Sequence, residues 1–236
     1  MNRIFVVSIG LVCLAAGAWA GRWWERRPQQ VRDNFQVLYH RTGAAVQFGN
    51  LSWLGVPIQK CPFDTWVMQE LLWELRPDVI VETGTYKGGS AYYYATLLDA
   101  IGHGRILTID IERYPNLPQH PRITYLAGSS TSSEIVARIR QSIRSGERVM
   151  VFLDSDHRAA HVAEEIRLYA PLVTPGSYLI VEDTQFNGHP VLPKFGPGPW
   201  EAVDGFLGSN RDFEPDRSRE KFGMTFNPRG YLKRVR

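Results

Sequence analysis

Short apolar runs, rich in β-branched residues, recur along the chain at 78–81, 105–109, 123–126, 148–153 and 177–181. Each is bounded by Gly, Pro or polar residues, as buried parallel strands are. Stretches with helical spacing lie between them. Trp66, Leu71 and Leu72 approximate a stripe over 65–75, with Asp64 as the expected N-cap and Arg76-Pro77 as the stop. Ser90 opens the run AYYYATLLDAIG. Ser132 or Ser133 caps a helix reaching about residue 145, and a further helix over 157–169 sets Val162, Ile166 and Tyr169 on one face. Pro199 starts another, with Val203, Phe206 and Leu207 facing inward. This alternation predicts an α/β fold, a mostly parallel, doubly wound sheet with helices on both faces. Residues 212–233 read as two strands closing the sheet with an antiparallel hairpin, and WLGVP (53–57) as a cap strand or loop. The stretch 185–199, QFNGHPVLPKFGPGP, is too long and too rich in Gly and Pro for a plain connection, and reads as a lid.

The amino terminus follows a different pattern. Residues 4–21 carry no charge and lie between Arg3 and Arg22; as a helix they would span roughly 27 Å, close to the hydrocarbon thickness of a bilayer. Trp23 and Trp24 would sit at the interface. A cleaved signal peptide is one alternative, since Ala18-Trp19-Ala20 fits an A-x-A site, and an apolar helix docking on its own domain is another. Arg22, Arg26, Arg27 and Arg32 follow the segment, so the positive-inside rule favours a single-pass anchor with the folded domain on the cytoplasmic side. The organisation expected is 1–27 anchor or signal-like segment, 28–49 linker, and 50–236 one catalytic-sized domain.

Composition excludes more than it suggests. A formal charge of +3 with no basic block among aromatics gives no reason to expect nucleic-acid binding. Cys13 and Cys61 are isolated, which implies neither a disulfide scaffold nor a zinc site. The oligomeric state, a homo-oligomer included, stays open.

The candidate chemistry gathers at strand ends. PDVIVETGTYKGGS (77–90) is a strand, a glycine turn and a helix start, a frame for a nucleotide-like ligand. Its spacing is neither G-x-G-x-x-G nor a P-loop. Glu82, Asp110, Asp154 and the pair Glu182-Asp183 fall at the carboxyl ends of four strands, the edge where open α/β sheets bind ligands. Asp110, 28 residues after Glu82, suits a carboxylate accepting from ribose hydroxyls. Asp154, Glu182 and Asp183 would repel one another unless a cation sits among them; oxygen ligation favours Mg²⁺, Mn²⁺ or Ca²⁺, while a neighbouring Lys or Arg is the alternative. His157 follows the Asp154 strand and can serve as general base. His161 reads as structural, or as supporting the site from behind, and Tyr86, Lys87 and His189 border the cleft.

These residues carry a family resemblance. ELRPDVIVETGTYKGGSA (74–91), TIDI (108–111), LDSDH (153–157), YAPLVTPGSYLIVEDT (169–184), GHPV (188–191) and TFNPRGYLK (225–233), with WLGVP and KCPFD (60–64), resemble the cephalosporin hydroxylase family over about residues 50 to 234. The chain is also similar to rhamnosyl and macrolide-sugar O-methyltransferases. The resemblance implies a Rossmann-like class I methyltransferase fold and S-adenosylmethionine (SAM) as cofactor. Glu82, Gly84, Tyr86, Gly88, Ser90 and Asp110 would form its site, with Ser129 and Ser130 bordering adenine. Asp154, Glu182 and Asp183 would match magnesium ligands, and His157, in D-x-x-H spacing, the general base; Asp156 is an extra acid inside that motif. The implied activity is metal-assisted O-methyl transfer to a hydroxyl of a sugar, glycolipid or natural product. The alternatives are a metal-dependent hydroxylase, with His157, His161 and Glu164 as the available ligands, and a non-catalytic membrane-tethered binding protein.

Overall fold

The computed structural model describes residues 28–42 and 50–236. The apolar segment 4–21 lies outside them, and among the described residues no helix is long and apolar enough to cross a membrane. Residues 28–42, expected as linker, instead form a helix, α1. Its inward anchor is polar: the buried Gln36 donates to Gln185 Oε1 (2.8 Å) and to the Thr225 carbonyl (2.6 Å). A helix held this way shows no apolar stripe toward the core, which is why the sequence pattern misses it.

A two-stranded hairpin follows, β1 (Ser52–Trp53) and β2 (Val56–Pro57). The main elements then come in order: α2 (Pro62–Leu75), β3 (Val79–Thr83), α3 (Gly89–Ile101), β4 (Arg105–Asp110), β5 (Ile123–Ala127), α4 (Ser133–Ser142), β6 (Val149–Leu153), α5 (Ala159–Tyr169), β7 (Tyr178–Val181), α6 (Pro199–Ser209), β8 (Phe213–Pro215) and β9 (Tyr231–Arg234). The sheet order is β5-β4-β3-β6-β7-β9-β8. Strands β3 to β7 pair in parallel, while β9 inserts antiparallel between β7 and β8.

The pleat divides the apolar side chains between two cores. Val79 and Val81 of β3 face α4, α5 and α6, packing with Ile135, Ile139, Ile166 and Val203. Ile80 faces the other way, onto α2 and α3, with Met68, Leu71, Tyr94 and Leu98. Trp66, expected in the α2 stripe, is exposed; Val67 and Met68 take the inner face with Leu71 and Leu72. Nor is Asp64 a cap. Cys61 is the N-cap residue of α2 and makes no side-chain cap bond, whereas Asp64 is buried and accepts from Thr225 Oγ1 (2.6 Å), the Phe226 amide (2.8 Å) and Tyr231 Oη (2.8 Å). Other starts agree: Ser132 caps α4 by accepting from the Ile135 amide, and Pro199 opens α6.

Candidate active site

Strand register builds the site. Thr83 pairs with Ile109 and Leu153, and Leu153 with Val181, so these strands stop level with one another. Gly84, Asp110, Asp154 and Glu182 therefore share one rim. A cavity of about 680 Å³ opens there, ample for a nucleoside-sized ligand.

The glycine turn makes one wall. Gly84 has φ +89°, and a Cβ on it would lie 1.9 Å from the Asp154 carbonyl oxygen. Only glycine lets β3 leave the sheet so close to β6. Gly89 is as constrained, its Cβ position being 2.0 Å from the Pro57 carbonyl oxygen, so the hairpin rests directly on the start of α3. Gly88 departs from expectation: it does not line the cavity, and its φ of +77° turns the chain against Pro118 instead. Tyr86 and Ser90 do line the cavity, with Tyr114 edge-on to Tyr86 (5.2 Å). Asp110 accepts from the Tyr86 amide (2.7 Å) and the Glu112 amide (3.0 Å), which fixes the turn and leaves carboxylate lone pairs for a ligand.

Glu82 stands behind this wall, fully buried. Thr108 Oγ1 donates to its Oε2 (2.6 Å), while Oε1 has no partner. Burial pushes its carboxyl up to about 7, against the opposing pull of Lys60. A buried carboxylate oxygen without a donor fits a ligand that brings a cationic group.

Ser129 and Ser130 border the cavity on the β5 side. His161 reaches this wall and no metal cluster. Its Nε2 lies 3.1 Å from Ser155 Oγ, 3.3 Å from Ser130 Oγ and 3.4 Å from Glu165 Oε1. Glu165, wholly buried, raises the pKa of His161. Glu164 faces out and pairs with Arg167, so the two-histidine, one-carboxylate site that a hydroxylase would need does not form.

The acidic centre differs from the set read in the sequence. Asp154, His157 and Asp183 offer ligand atoms within 4.8 Å of one another. His157 Nε2 is 3.4 Å from Asp183 Oδ2 and 3.9 Å from Asp154 Oδ1, and Phe186 closes edge-on over the imidazole at 5.3 Å. Glu182 is turned away. Its Oε1 accepts from Lys60 Nζ (2.6 Å), which also donates to Asp154 Oδ2 (2.5 Å). Two residues beyond Ile180, Glu182 keeps to the α2/α3 face by the strand period, the face where Lys60 arrives from the β1–β2 hairpin. Asp183 has φ +55°, a left-handed turn that breaks the period and sends its carboxylate to His157 instead. Burial works against the Lys60 charge, yet Asp154, Glu182 and Glu82 outweigh it and hold the ammonium firmly protonated. Burial, with Asp154 close by, pushes up the carboxyls of Glu182 and Asp183; one ammonium is fixed among them, and a divalent cation on these hard oxygen donors would relieve the crowding. Asp156, the extra acid, is bound to Arg158 and takes no part.

A neighbouring Lys or Arg was the alternative to a metal among these acids, and Lys60 takes that place beside Asp154 and Glu182, though neither it nor Gln185 was singled out. Gln185 Nε2 donates to Asp183 Oδ1 (3.1 Å) and so links α1, through Gln36, to the acidic centre. Lys60 does stand in KCPFD, but no spacing rule marks a lone loop lysine as the counter-ion of acids distant in the chain.

Comparison with known proteins places the chain in a family. The family described as Rhamnosyl O-methyltransferase/CmcI matches residues 46–235. A protein named rhamnosyl O-methyltransferase from Mycobacterium bovis (strain BCG / Pasteur 1173P2) is 37% identical over 238 residues, covering 96% of this chain and 94% of its own. One of the same name from Mycobacterium leprae (strain TN) is 39% identical over 213 residues, covering 86% and 91%. Among solved structures, CmcI-D160 with Mg and SAM superposes with a TM-score of 0.60 at 24% identity over 80% of this chain and 78% of that one. An O-methyltransferase from Bacillus cereus in complex with SAH gives 0.51 at 16%, covering 74% and 78%. Both share the fold. With nearly its whole described domain matched, the chain belongs to the rhamnosyl O-methyltransferase/CmcI family.

Proposed function

We propose that this protein, a SAM-dependent O-methyltransferase by family, methylates a hydroxyl of a sugar, glycolipid or natural product with the help of a divalent cation. The observation that carries this reading is the placement of His157 between Asp154 and Asp183, on a cavity whose other wall is the Gly84 turn with Asp110. The names of the relatives support the sugar acceptor, and the Mg and SAM in the CmcI structure support both cofactors.

Asp110 would accept from the ribose hydroxyls and Ser129 and Ser130 would border the base, while Glu82, behind the wall and outside the cavity lining, would favour a cationic end of the ligand from there. Asp154 and Asp183 would offer the oxygen donors for Mg²⁺ or Mn²⁺, with Glu182 behind Lys60 and the His157 imidazole left free to act as base. The cation, when bound, supplies charge that lowers the pKa of an acceptor hydroxyl. As the carbon–oxygen bond forms and the methyl–sulfur bond of SAM breaks, leaving S-adenosylhomocysteine, the hydroxyl proton would pass to an imidazole nitrogen of His157, and Asp183 would stabilise the imidazolium. Phe186, edge-on to His157 and tilted against Phe195 at 5.0 Å, keeps water from the reacting groups. Alignment and charge placement supply most of the acceleration. Since SAM is made in the cytosol, and arginines follow the apolar segment, we place this activity on the cytoplasmic side of a membrane.

The test is transfer of labelled methyl from SAM to rhamnosyl glycolipids by the purified full chain, with and without chelator. Transfer that stops in chelator and returns with Mg²⁺ supports the reading. Failure of the chain to bind SAM at all would reject it.

A further inference from the structure

An amphipathic helix ordinarily hides its apolar stripe against the core. Helix α1 does the reverse: Gln36 points inward, while Val31, Phe35 and Leu38, spaced on one helical face, are 67%, 47% and 58% exposed. Scattered exposed apolar side chains need no explanation, but contiguous ones do. These are continued by neighbours. Phe35 contacts Tyr39 (6.0 Å), and Tyr39 contacts Phe226 (6.1 Å). Phe222, 44% exposed, meets Phe63 at the start of α2 (5.8 Å). On the outer side of α2, Trp66 and Trp73 are 60% and 57% exposed. The borders are basic. Lys221 lies over the Phe222 ring (5.4 Å) and Arg76 over Trp73 (4.8 Å), and the Arg32 side chain flanks Gly223. The acids in this region are already engaged: Glu70 with Lys221 and Trp66, Glu74 with Arg219, Asp33 with Gln29.

We propose that the face made by α1, residues 221–223 and the outer side of α2 rests on a lipid bilayer carrying anionic headgroups. The chain entering α1 argues for this occupant. Residues 4–21 have no charge, Trp23 and Trp24 follow, and Arg22, Arg26 and Arg27 lead directly into residue 28. Exposed tryptophans beside Lys and Arg are the side chains that settle at a membrane interface, and basic residues near the surface add attraction to anionic lipid. The same helix reaches the acidic centre: Gln36 bonds Gln185, which holds Asp183, and the His40 ring lies 6.2 Å from Phe186. A docked α1 would thus present its outer face to lipid while its inner face stays joined to the residues beside the acidic centre. This inference stands apart from the methyltransferase reading, because lipid contact and SAM binding are measured separately.

The test uses the full chain with Cys13→Ala, reconstituted in phosphatidylglycerol–phosphatidylethanolamine vesicles. An environment-sensitive fluorophore is attached at Leu38→Cys, Phe222→Cys or, as control, Glu134→Cys on α4. Blue shift and several-fold quenching by headgroup-region spin-labelled lipid at 38 and 222, but not at 134, is the result expected. A Phe35→Glu/Leu38→Glu variant should lower the quenching at 222 while SAM affinity is unchanged. Equal signals at all three positions would overturn the proposal. So would shielding of 38 and 222 in detergent, without vesicles, together with a doubled mass, since a second copy would then cover the face.

Discussion

Lys60 Nζ and Glu182 Oε1 stand 2.6 Å apart, both side chains withdrawn from solvent, and the same ammonium holds Asp154 at 2.5 Å. Removing one partner of a buried ion pair leaves charge with nothing to offset it. Lys60→Met should therefore destabilise the protein by about 3–5 kcal/mol, read as a lower urea midpoint. Millimolar Mg²⁺ should recover part of the loss, and Lys60→Met/Glu182→Gln should be more stable than the single variant. Equal stability of Lys60→Met and the parent would show that the ammonium does not balance these acids.

Asp154 and Asp183 carry the expected metal dependence. Asp183→Asn and Asp154→Ala should lose Mg²⁺-dependent transfer while SAM binding by calorimetry persists, because the cofactor wall is built from other strands. Full activity of either variant in excess chelator would remove the metal from the mechanism.

His157 separates proton transfer from binding. His157→Gln should lower kcat by roughly 10²–10⁴ with little change in KM for SAM, the range for a lost general base. A comparable rise in KM at unchanged kcat would make His157 a binding residue only.

Glu82 predicts a pH dependence. Its folded pKa, pushed up to about 7 by burial, exceeds the ordinary glutamate value of 4.5, so between these values the folded chain holds a proton that the unfolded chain has released. Stability from this group is complete below pH 4.5 and falls as pH rises through 7, by up to about 3 kcal/mol. Glu82→Gln should flatten that part of the thermal stability profile. A profile with the same slope in the variant would rule out Glu82 as its source.

Gly84 tests the packing of the turn. A methyl group there would meet the Asp154 carbonyl, and the positive φ adds strain. Gly84→Ala should cost several kcal/mol, or abolish SAM binding if the turn shifts to relieve the contact. Gly146→Ala, where no atom lies within 4 Å, controls for the positive φ alone.

Much of this architecture could be read in the sequence because apolar strands and helical stripes are local signals. The level ends of β3, β4, β6 and β7 then carried Asp110, Asp154 and Asp183 to one rim without further information. What escaped depended on partners far away in the chain. Lys60 meets acids 94 and 122 residues later, and Gln36 meets a glutamine 149 residues later. Asp64 resembled a cap because Asp before a helical run usually is one; its partners come from the last strand and the turn before it. Glu182 and Asp183 read as equals in sequence, and only the left-handed turn at 183 separates them.

The buried Asp64 carboxylate has a consequence for how the chain is made. Its donors Thr225, Phe226 and Tyr231 come from residues 225–231, which are made after α2 and after every strand of the sheet except β9. Until then α2 carries an acid that must stay wet or keep its proton. Loss of residues 225–236 would strip away both β9 and the latch, and leave β7 and α2 without the chain that covers them.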